Sequence, residues 1–160
     1  MTGLQALALT QPPLMRYWDR PRAGDWAKVL ATFPLFSGVS RRHLRKLVEK
    51  ARFVEFAAGE RVLTKGANGD SLYVVLGGTA TALGALGAHA LHTGAYLGEL
   101  ALLDGAPRSA TVLATHELHV MALPRQSVLR LARRRPAMTL TMLSNLSTTL
   151  RRLEAQVASN

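Results

Sequence analysis

The chain has 160 residues, a length that fits one domain with a sizeable buried core. Hydrophobic residues make up 48% of it, which excludes disorder throughout, and the absence of cysteine excludes disulfides, thiolate metal sites and cysteine nucleophiles. The formal net charge of +10 is concentrated at the ends, with +6 over residues 1–58, −2 over residues 59–124 and +6 over residues 125–160.

Residues 1–32 are predicted to form an N-terminal extension with one short helix. Several prolines make residues 1–25 irregular, Asp25 is expected to cap a helix over residues 26–33, and Pro34 ends that helix. The segment lacks the basic start of a secretory signal, so we expect a cytoplasmic protein.

Residues 41–51 are predicted to form an amphipathic helix that is capped by Ser40. Its apolar residues recur at helical spacing: Leu44, Leu47, Val48 and Ala51. We interpret its basic face, and both basic ends of the chain, as solvated surface; contact with nucleic acid, anionic lipid or an acidic protein is the alternative.

From residue 53 to residue 123 the pattern changes to short apolar runs separated by glycine turns, which favours an antiparallel sandwich or barrel. The segment 79–93 is rich in alanine and glycine, so we expect a loosely paired hairpin there. Glu99 is the single charge between residues 72 and 103, but glycines and turns interrupt this stretch and we expect no membrane span. The predicted strands are residues 53–56, 61–63, 72–76, 110–114 and 118–123.

Two helices are predicted after Pro124, a short one that ends near Arg135 and a longer one over residues 137–157. The longer helix needs a cover for its apolar stripe, either the β-core or a second copy of the chain in a dimer. The stripe consists of Met138, Met142, Leu143, Leu146, Leu150, Leu153 and Val157.

Residues 94–112 contain the most informative pattern in the sequence. A glycine turn precedes a one-turn helix over residues 99–103, and an Asp-Gly turn then brings Arg108 to the start of a strand. Free N–H groups at a helix start and an arginine fork suit phosphate oxygens, while Glu99 can accept hydrogen bonds from sugar hydroxyls. This combination indicates an anion or nucleotide pocket.

Residues 98–102 (Gly-Glu-Leu-Ala-Leu) and 107–112 (Pro-Arg-Ser-Ala-Thr-Val) resemble the phosphate-binding cassette of cyclic-nucleotide-binding domains. These domains occur in the regulatory subunits of cAMP-dependent protein kinase and in bacterial catabolite activators. The resemblance extends over about residues 33–157, through an entry motif at residues 33–40 and glycine-rich turns at residues 59–78. It implies an α+β fold, an antiparallel β-roll or jelly roll of about eight strands flanked by N-terminal and C-terminal helices.

The resemblance also implies roles for individual residues. Glu99 would accept from the ribose 2′-hydroxyl, and Arg108 would pair with the exocyclic phosphate oxygens. In the family, serine or threonine at the position of Ser109 can favour cGMP, but bacterial cAMP receptors also carry serine, and we expect cAMP rather than cGMP. The final helix would move over the base as a lid, with contacts at Leu150, Leu153 and Glu154. The full ligand-binding set would be Gly98, Glu99, Leu100, Ala101, Arg108, Ser109 and Ala110.

We therefore expect a non-enzymatic sensor of cAMP or cGMP that signals through its C-terminal helix, with an unknown effector protein as partner and a possible homodimer. No catalytic residue, cofactor or metal site is predicted, since the histidine pairs 89/92 and 116/119 lack a third ligand. The chain ends soon after the last helix, so we expect a sensor without its own output domain.

Two alternatives remain open. Glu99 and Arg108 could simply pair with each other in a domain that has lost its ligand and serves as a scaffold through its basic flanks or its apolar helix. A truncated regulator that meets DNA through the basic flanks is the least favoured hypothesis.

Overall fold

The computed structural model describes residues 23–84 and 87–159, so the predictions for residues 1–22 lie outside the described residues. Helices α1 and α2 and a 3₁₀ turn precede the strands, α3 lies between β6 and β7, and α4 and α5 follow the last strand. The helical elements are α1 (Ala23–Ala31), the 3₁₀ turn (Pro34–Phe36), α2 (Arg41–Glu49), α3 (Glu99–Asp104), α4 (Arg125–Arg134) and α5 (Pro136–Ala158).

Eight antiparallel strands form two four-stranded sheets, with the orders β1-β8-β3-β6 and β2-β7-β4-β5. The predicted α+β fold, a β-roll flanked by helices, is therefore confirmed. The strands are β1 (Arg52–Phe56), β2 (Arg61–Leu63), β3 (Ser71–Gly77), β4 (Ala80–Gly84), β5 (Gly87–Leu91), β6 (Tyr96–Leu97), β7 (Thr111–Ala114) and β8 (Leu118–Pro124).

The hydrophobic core has two parts. The first lies between the outer face of the β1-β8-β3-β6 sheet and the helices, and the second lies between the two sheets. Alternation along β3 and β8 explains this division, because successive side chains of a strand point to opposite faces. Thus Val74 and Met121 belong to the helix-facing part, whereas Val75 and Val120 belong to the part between the sheets.

The first two helices differ in how well the sequence predicted them. The cap of α2 is confirmed, since the Ser40 side chain accepts a hydrogen bond from the backbone N–H of His43. For α1 the predicted bounds were wrong: the helix begins at Ala23, so Asp25 lies in its first turn, and it ends at Ala31. The residue before Pro34 adopts an extended conformation (φ −87°, ψ 137°), which a following proline favours.

The hairpin of β4 and β5 is regularly paired, at five register positions from Ala80↔Leu91 to Gly84↔Gly87. The expectation of loose pairing was therefore wrong for these strands. β4 also pairs with β7 on its other side, which supplies the second row of hydrogen bonds that an isolated hairpin lacks.

An ionic cluster crosses the β1–β8 ladder. His119 Nε2 lies 3.3 Å from Glu55 Oε2 and 3.4 Å from Glu117 Oε1, and Glu55 and His119 are direct partners in the register. Glu117 is close to His119 in the sequence, but Glu55 is distant along the chain, and only the pairing of β1 with β8 brings it near. The sequence alone therefore did not predict the contact between Glu55 and His119.

Helix α5 has three different environments along its length. Met138 and Met142 are buried in the core, Leu146 and Leu153 are partly buried, and Leu150 is more than half exposed. The apolar stripe therefore packs on the core only at the start of the helix. Among the described helices, none is both long enough and apolar enough to cross a bilayer.

We predict that Met138→Ala lowers the free energy of unfolding by about 2–5 kcal/mol, because it removes a fully buried side chain and leaves a cavity. Leu140→Ala is the matched control, since Leu140 lies two residues further along α5, on a different face, and is 65% exposed; its effect should stay within about 0.5 kcal/mol. Urea denaturation measures both values. Equal losses for the two variants would contradict the packing of the Met138 face of α5 on the core.

Candidate functional site

A cavity of about 510 Å³ lies between the β2-β7-β4-β5 sheet, α3 and the second half of α5. Such a volume falls within the range of about 300–1,000 Å³ that is usual for small-molecule sites. Glu99, Arg108 and Ser109 lie close to Gly98 and form what we call its polar end, and His89, Tyr96, Thr149 and Arg152 are further polar lining residues. The apolar residues of its wall include Leu63, Leu91, Leu146, Leu150 and Leu153.

Gly98 shapes the polar end of the cavity. It precedes α3 in a left-handed conformation (φ 88°, ψ 13°) that side chains rarely tolerate. This turn directs the first backbone N–H groups of α3, which have no intrahelical acceptors, away from the preceding strand. A Cβ atom at Gly98 would also overlap the guanidinium of Arg108.

Arg108 is buried, with 5% of its surface exposed. Its Nη1 donates to the carbonyl of Gly98 (3.2 Å) and its Nη2 donates to the carbonyl of Ser71 (2.9 Å). The ring of Tyr73 lies beneath the guanidinium, 5.7 Å from Cζ to the ring centroid. Two carbonyls and an aromatic ring therefore fix the side chain, and these bonds use two of the five N–H groups of the guanidinium.

The backbone around Arg108 is equally constrained. Its N–H donates to the carbonyl of Ala67 (2.8 Å), and its own carbonyl accepts from the N–H of Gly66 (2.8 Å). Gly69 in the same loop leaves the space that the guanidinium occupies, because a Cβ atom there would overlap it. The glycine-rich turn 66–70, distant in sequence, thus forms part of the arginine's site.

Glu99 lines the cavity from the first position of α3. Burial raises the pKa of its carboxyl, and this effect outweighs a hydrogen bond from its own backbone N–H and the charges of His89 and Arg108, which lower it. Burying an ionised carboxylate costs free energy, so burial favours the protonated form of Glu99 over the ionised form.

The described residues include no ion pair between Glu99 and Arg108. The guanidinium instead donates to the main-chain carbonyls of Gly98 and Ser71. The alternative that the two side chains merely neutralise each other therefore finds no support in the geometry.

The structure brings most of the predicted site residues together. Six line the cavity directly: Gly98, Glu99, Ala101, Arg108, Ser109 and Ala110. Leu100 lies in α3 between two of them. Of the expected lid residues, Leu150 and Leu153 line the cavity, whereas Glu154 is exposed on α5 and is not among the lining residues.

Several lining residues were missed by the sequence interpretation. Tyr96 lines the cavity, and its hydroxyl accepts a hydrogen bond of 2.6 Å from Asn145 Nδ2 on α5. Burial raises the pKa of Tyr96. His89, considered in the sequence only as a possible metal ligand, is exposed and lines the cavity; its position two residues before Leu91 on β5 is the signal that could have identified it.

Comparison with known proteins gives one family. The model of the cyclic nucleotide-binding domain matches residues 53–135, from β1 to the end of α4. The cAMP-dependent protein kinase regulatory subunit of Mycosarcoma maydis is 35% identical over 106 residues, 63% of this chain and 20% of that protein. A cyclic nucleotide-gated potassium channel of Rhizobium etli is 31% identical over 129 residues, 77% of this chain and 36% of that protein.

Solved structures agree with this result. The chain is similar to the regulatory domain of Toxoplasma gondii protein kinase A with cAMP, with a TM-score of 0.70, 27% identity and coverage of 80% of this chain and 50% of that one. It is also similar to the catabolite activator protein of Thermus thermophilus, with a TM-score of 0.66, 26% identity and coverage of 78% and 62%. The chain spans only about a fifth to a third of the curated relatives named above.

We predict that Glu99→Gln raises the free energy of unfolding of the ligand-free protein near neutral pH, because it removes a buried negative charge. The folded pKa is raised, so the contribution of Glu99 to stability is greatest below its unfolded pKa and is lost as the pH rises through the folded pKa. Urea denaturation of both proteins between acidic and neutral pH should give free energies of unfolding that converge at acidic pH. A variant less stable than wild type near neutral pH would contradict the prediction.

Proposed function

Since the chain belongs to the cyclic nucleotide-binding domain family, we propose that it is a non-enzymatic sensor whose cavity binds cAMP in preference to cGMP. The observation that carries the proposal is Arg108, buried and fixed by two carbonyls opposite an ionisable Glu99 in a cavity of about 510 Å³. The cAMP-binding proteins among the similar chains support the choice of nucleotide.

The cyclic phosphate binds at Arg108. A guanidinium presents parallel N–H groups that match two phosphate oxygens, and it stays charged at any physiological pH. Because Gly98 and Ser71 already orient the fork, little conformational entropy is lost when the phosphate binds. The Ser109 hydroxyl and the backbone near Leu100, Ala101 and Ala110 complete the phosphate contacts.

The ribose binds at Glu99. Its carboxylate accepts a hydrogen bond from the 2′-hydroxyl. This hydrogen bond replaces the hydrogen bonds to water that the carboxylate lost on burial. The purine then extends toward the apolar wall, where Leu150 and Leu153 of α5 cover it. The buried carboxylate destabilises the ligand-free protein and gains a hydrogen bond in the complex. It therefore favours a pocket that binds a ligand over a pocket that stays empty.

The signal is a movement of α5. The helix is fixed at its start by Met138 and Met142, while its second half contacts the protein mainly along the cavity. The Tyr96–Asn145 hydrogen bond joins the cavity wall to this helix. A ligand that contacts both elements can shift the helix only through a difference in its affinity for the two positions.

The sensor acts on an effector protein, and the cytoplasm is its compartment, since a chain without cysteine fits a reducing environment. The exposed Leu143 and Val157 on α5 support pairing of two copies, which sedimentation equilibrium with and without cAMP would test.

We predict that isothermal titration calorimetry detects cAMP binding to the wild type and that Arg108→Gln weakens it by at least about 100-fold, because two charge-assisted hydrogen bonds are lost. Arg61→Gln is the matched control: it removes one positive charge from an exposed position on β2 that does not line the cavity. Glu99→Gln should also weaken binding while the ligand-free protein remains folded, which separates lost contacts from lost structure. Equal affinities of wild type and Arg108→Gln would reject the assignment.

The scaffold alternative predicts a different result in the same measurements. A protein that shows no heat or thermal shift with either cyclic nucleotide, yet forms a stable protein complex, would be an interaction module on this fold.

We predict that cAMP changes the position of the second half of α5 only. The chain has no cysteine, so spin labels at Arg61→Cys and Arg151→Cys report one distance by pulsed electron resonance. This distance should shift by several ångström and its distribution should narrow on addition of cAMP. The control pair, Arg61→Cys with Ala137→Cys, should not change, because Ala137 adjoins the buried Met138. Unchanged distances in both pairs, with cAMP bound, would exclude signalling through this helix.

A further inference from the structure

A second concave site, the basic groove, lies between α2 and α4 and has a volume of about 270 Å³. It shares no lining residue with the nucleotide cavity. Arg135 Nη2 lies 3.2 Å from His43 Nδ1, so the residue that follows α4 contacts the first turn of α2. The groove is lined by His43, Lys46, Leu47, Lys50, Ser127, Arg130, Leu131 and Arg134.

Both helices contribute the same pattern to the basic groove. The residues stand at positions i, i+3, i+4 and i+7 of each helix, which is one continuous stripe. In each stripe a leucine at i+4 lies between cations at i+3 and i+7, Lys46 and the C-cap Lys50 of α2 and Arg130 and Arg134 on α4. The result is a group of four positive charges around two leucines, and the two cations of each stripe are about 6 Å apart along the helix axis at 1.5 Å per residue.

The positive charge of the basic groove is not neutralised locally. No carboxylate is among its lining residues in the described part of the chain, and Glu49 on α2 lies outside them. Like charges at neighbouring helix positions repel one another, so the arrangement costs stability unless an anion occupies it. The pKa of His43 is lowered, first by burial and then by the positive charges of its neighbours Arg135, Lys46, Arg134 and Arg42.

The floor of the basic groove limits the chemistry of the ligand. Leu47 and Leu131 are themselves buried, at 4% and 7% exposed, so an amphipathic peptide would gain little apolar contact there. Lys46 and Arg130, which precede these two leucines in the chain, are exposed and line the same groove. Guanidinium and ammonium groups that line one groove of about 270 Å³ match a compact anion with several phosphate groups better than an extended polymer.

We propose that the basic groove binds a soluble anion that carries two or more phosphate groups, independently of the nucleotide cavity. Lys46, Lys50, Arg130 and Arg134 contact the phosphate oxygens, and His43 and Ser127 close the two ends. Binding bridges α2 and α4 and relieves the repulsion between their charges, so it stabilises the folded chain.

Calorimetry of the full chain with inorganic tripolyphosphate tests this site. The groove variant Lys46→Gln/Arg130→Gln should weaken binding at least about tenfold, because charge-assisted contacts to phosphate are lost. The control Arg41→Gln/Arg133→Gln removes the same charge from exposed positions of the same helices outside the groove, and its affinity should fall less than about threefold. The His43 resonance supplies a second readout, since a bound anion should raise its pKa.

The proposals for the basic groove and for the nucleotide cavity can be tested independently. Arg108→Gln should bind tripolyphosphate like the wild type, so a protein that does not bind cAMP at all leaves this test unaffected. Equal losses in the groove and control variants, or competition between tripolyphosphate and cAMP, would overturn the proposal. So would binding to a DNA duplex or to phosphatidylserine vesicles without binding to tripolyphosphate, because the partner would then be a polymer or a membrane.

Discussion

The burial of one permanent positive charge governs the functional end of this domain. Arg108 cannot lose its proton, so its burial is tolerable only with acceptors, and the carbonyls of Gly98 and Ser71 supply them. Those carbonyls come from a turn before α3 and from the start of β3, and Gly69 leaves the necessary space. The loop, the strand and the helix turn must therefore assemble together for the side chain to be placed at all.

Glu99 shows the opposite balance. Its carboxyl is held in a partly dehydrated position that raises its pKa, without an ion pair to Arg108 among the described residues. In the proposed complex the two residues would act differently: Arg108 is oriented by the protein before binding, whereas Glu99 would gain its hydrogen-bond partner from the ligand. The stability that the buried carboxylate costs would then be recovered as affinity.

Local chemistry determined which features could be predicted from the sequence. The turn before α3, the cap at Ser40 and the helix-then-arginine order depend on neighbouring residues, and these predictions agree with the structure. The Tyr96–Asn145 contact and the approach of Glu55 to His119 join residues far apart in the chain, which no local pattern encodes. The terminal stripe was correctly recognised as apolar, but its division between core, cavity and solvent depends on where α5 leaves the sheet.

The one-ended packing of α5 has a thermodynamic consequence for the domain. Beyond its first turns the helix lacks a continuous partner in the core, so its amides near Val157 should open without global unfolding while those near Met142 open only with it. Ordering such a segment consumes conformational entropy at the moment of association, and the heat capacity falls as apolar surface is covered. In the proposed sensor, affinity would therefore depend on the conformational entropy that the helix loses as well as on the contacts formed with the guanidinium.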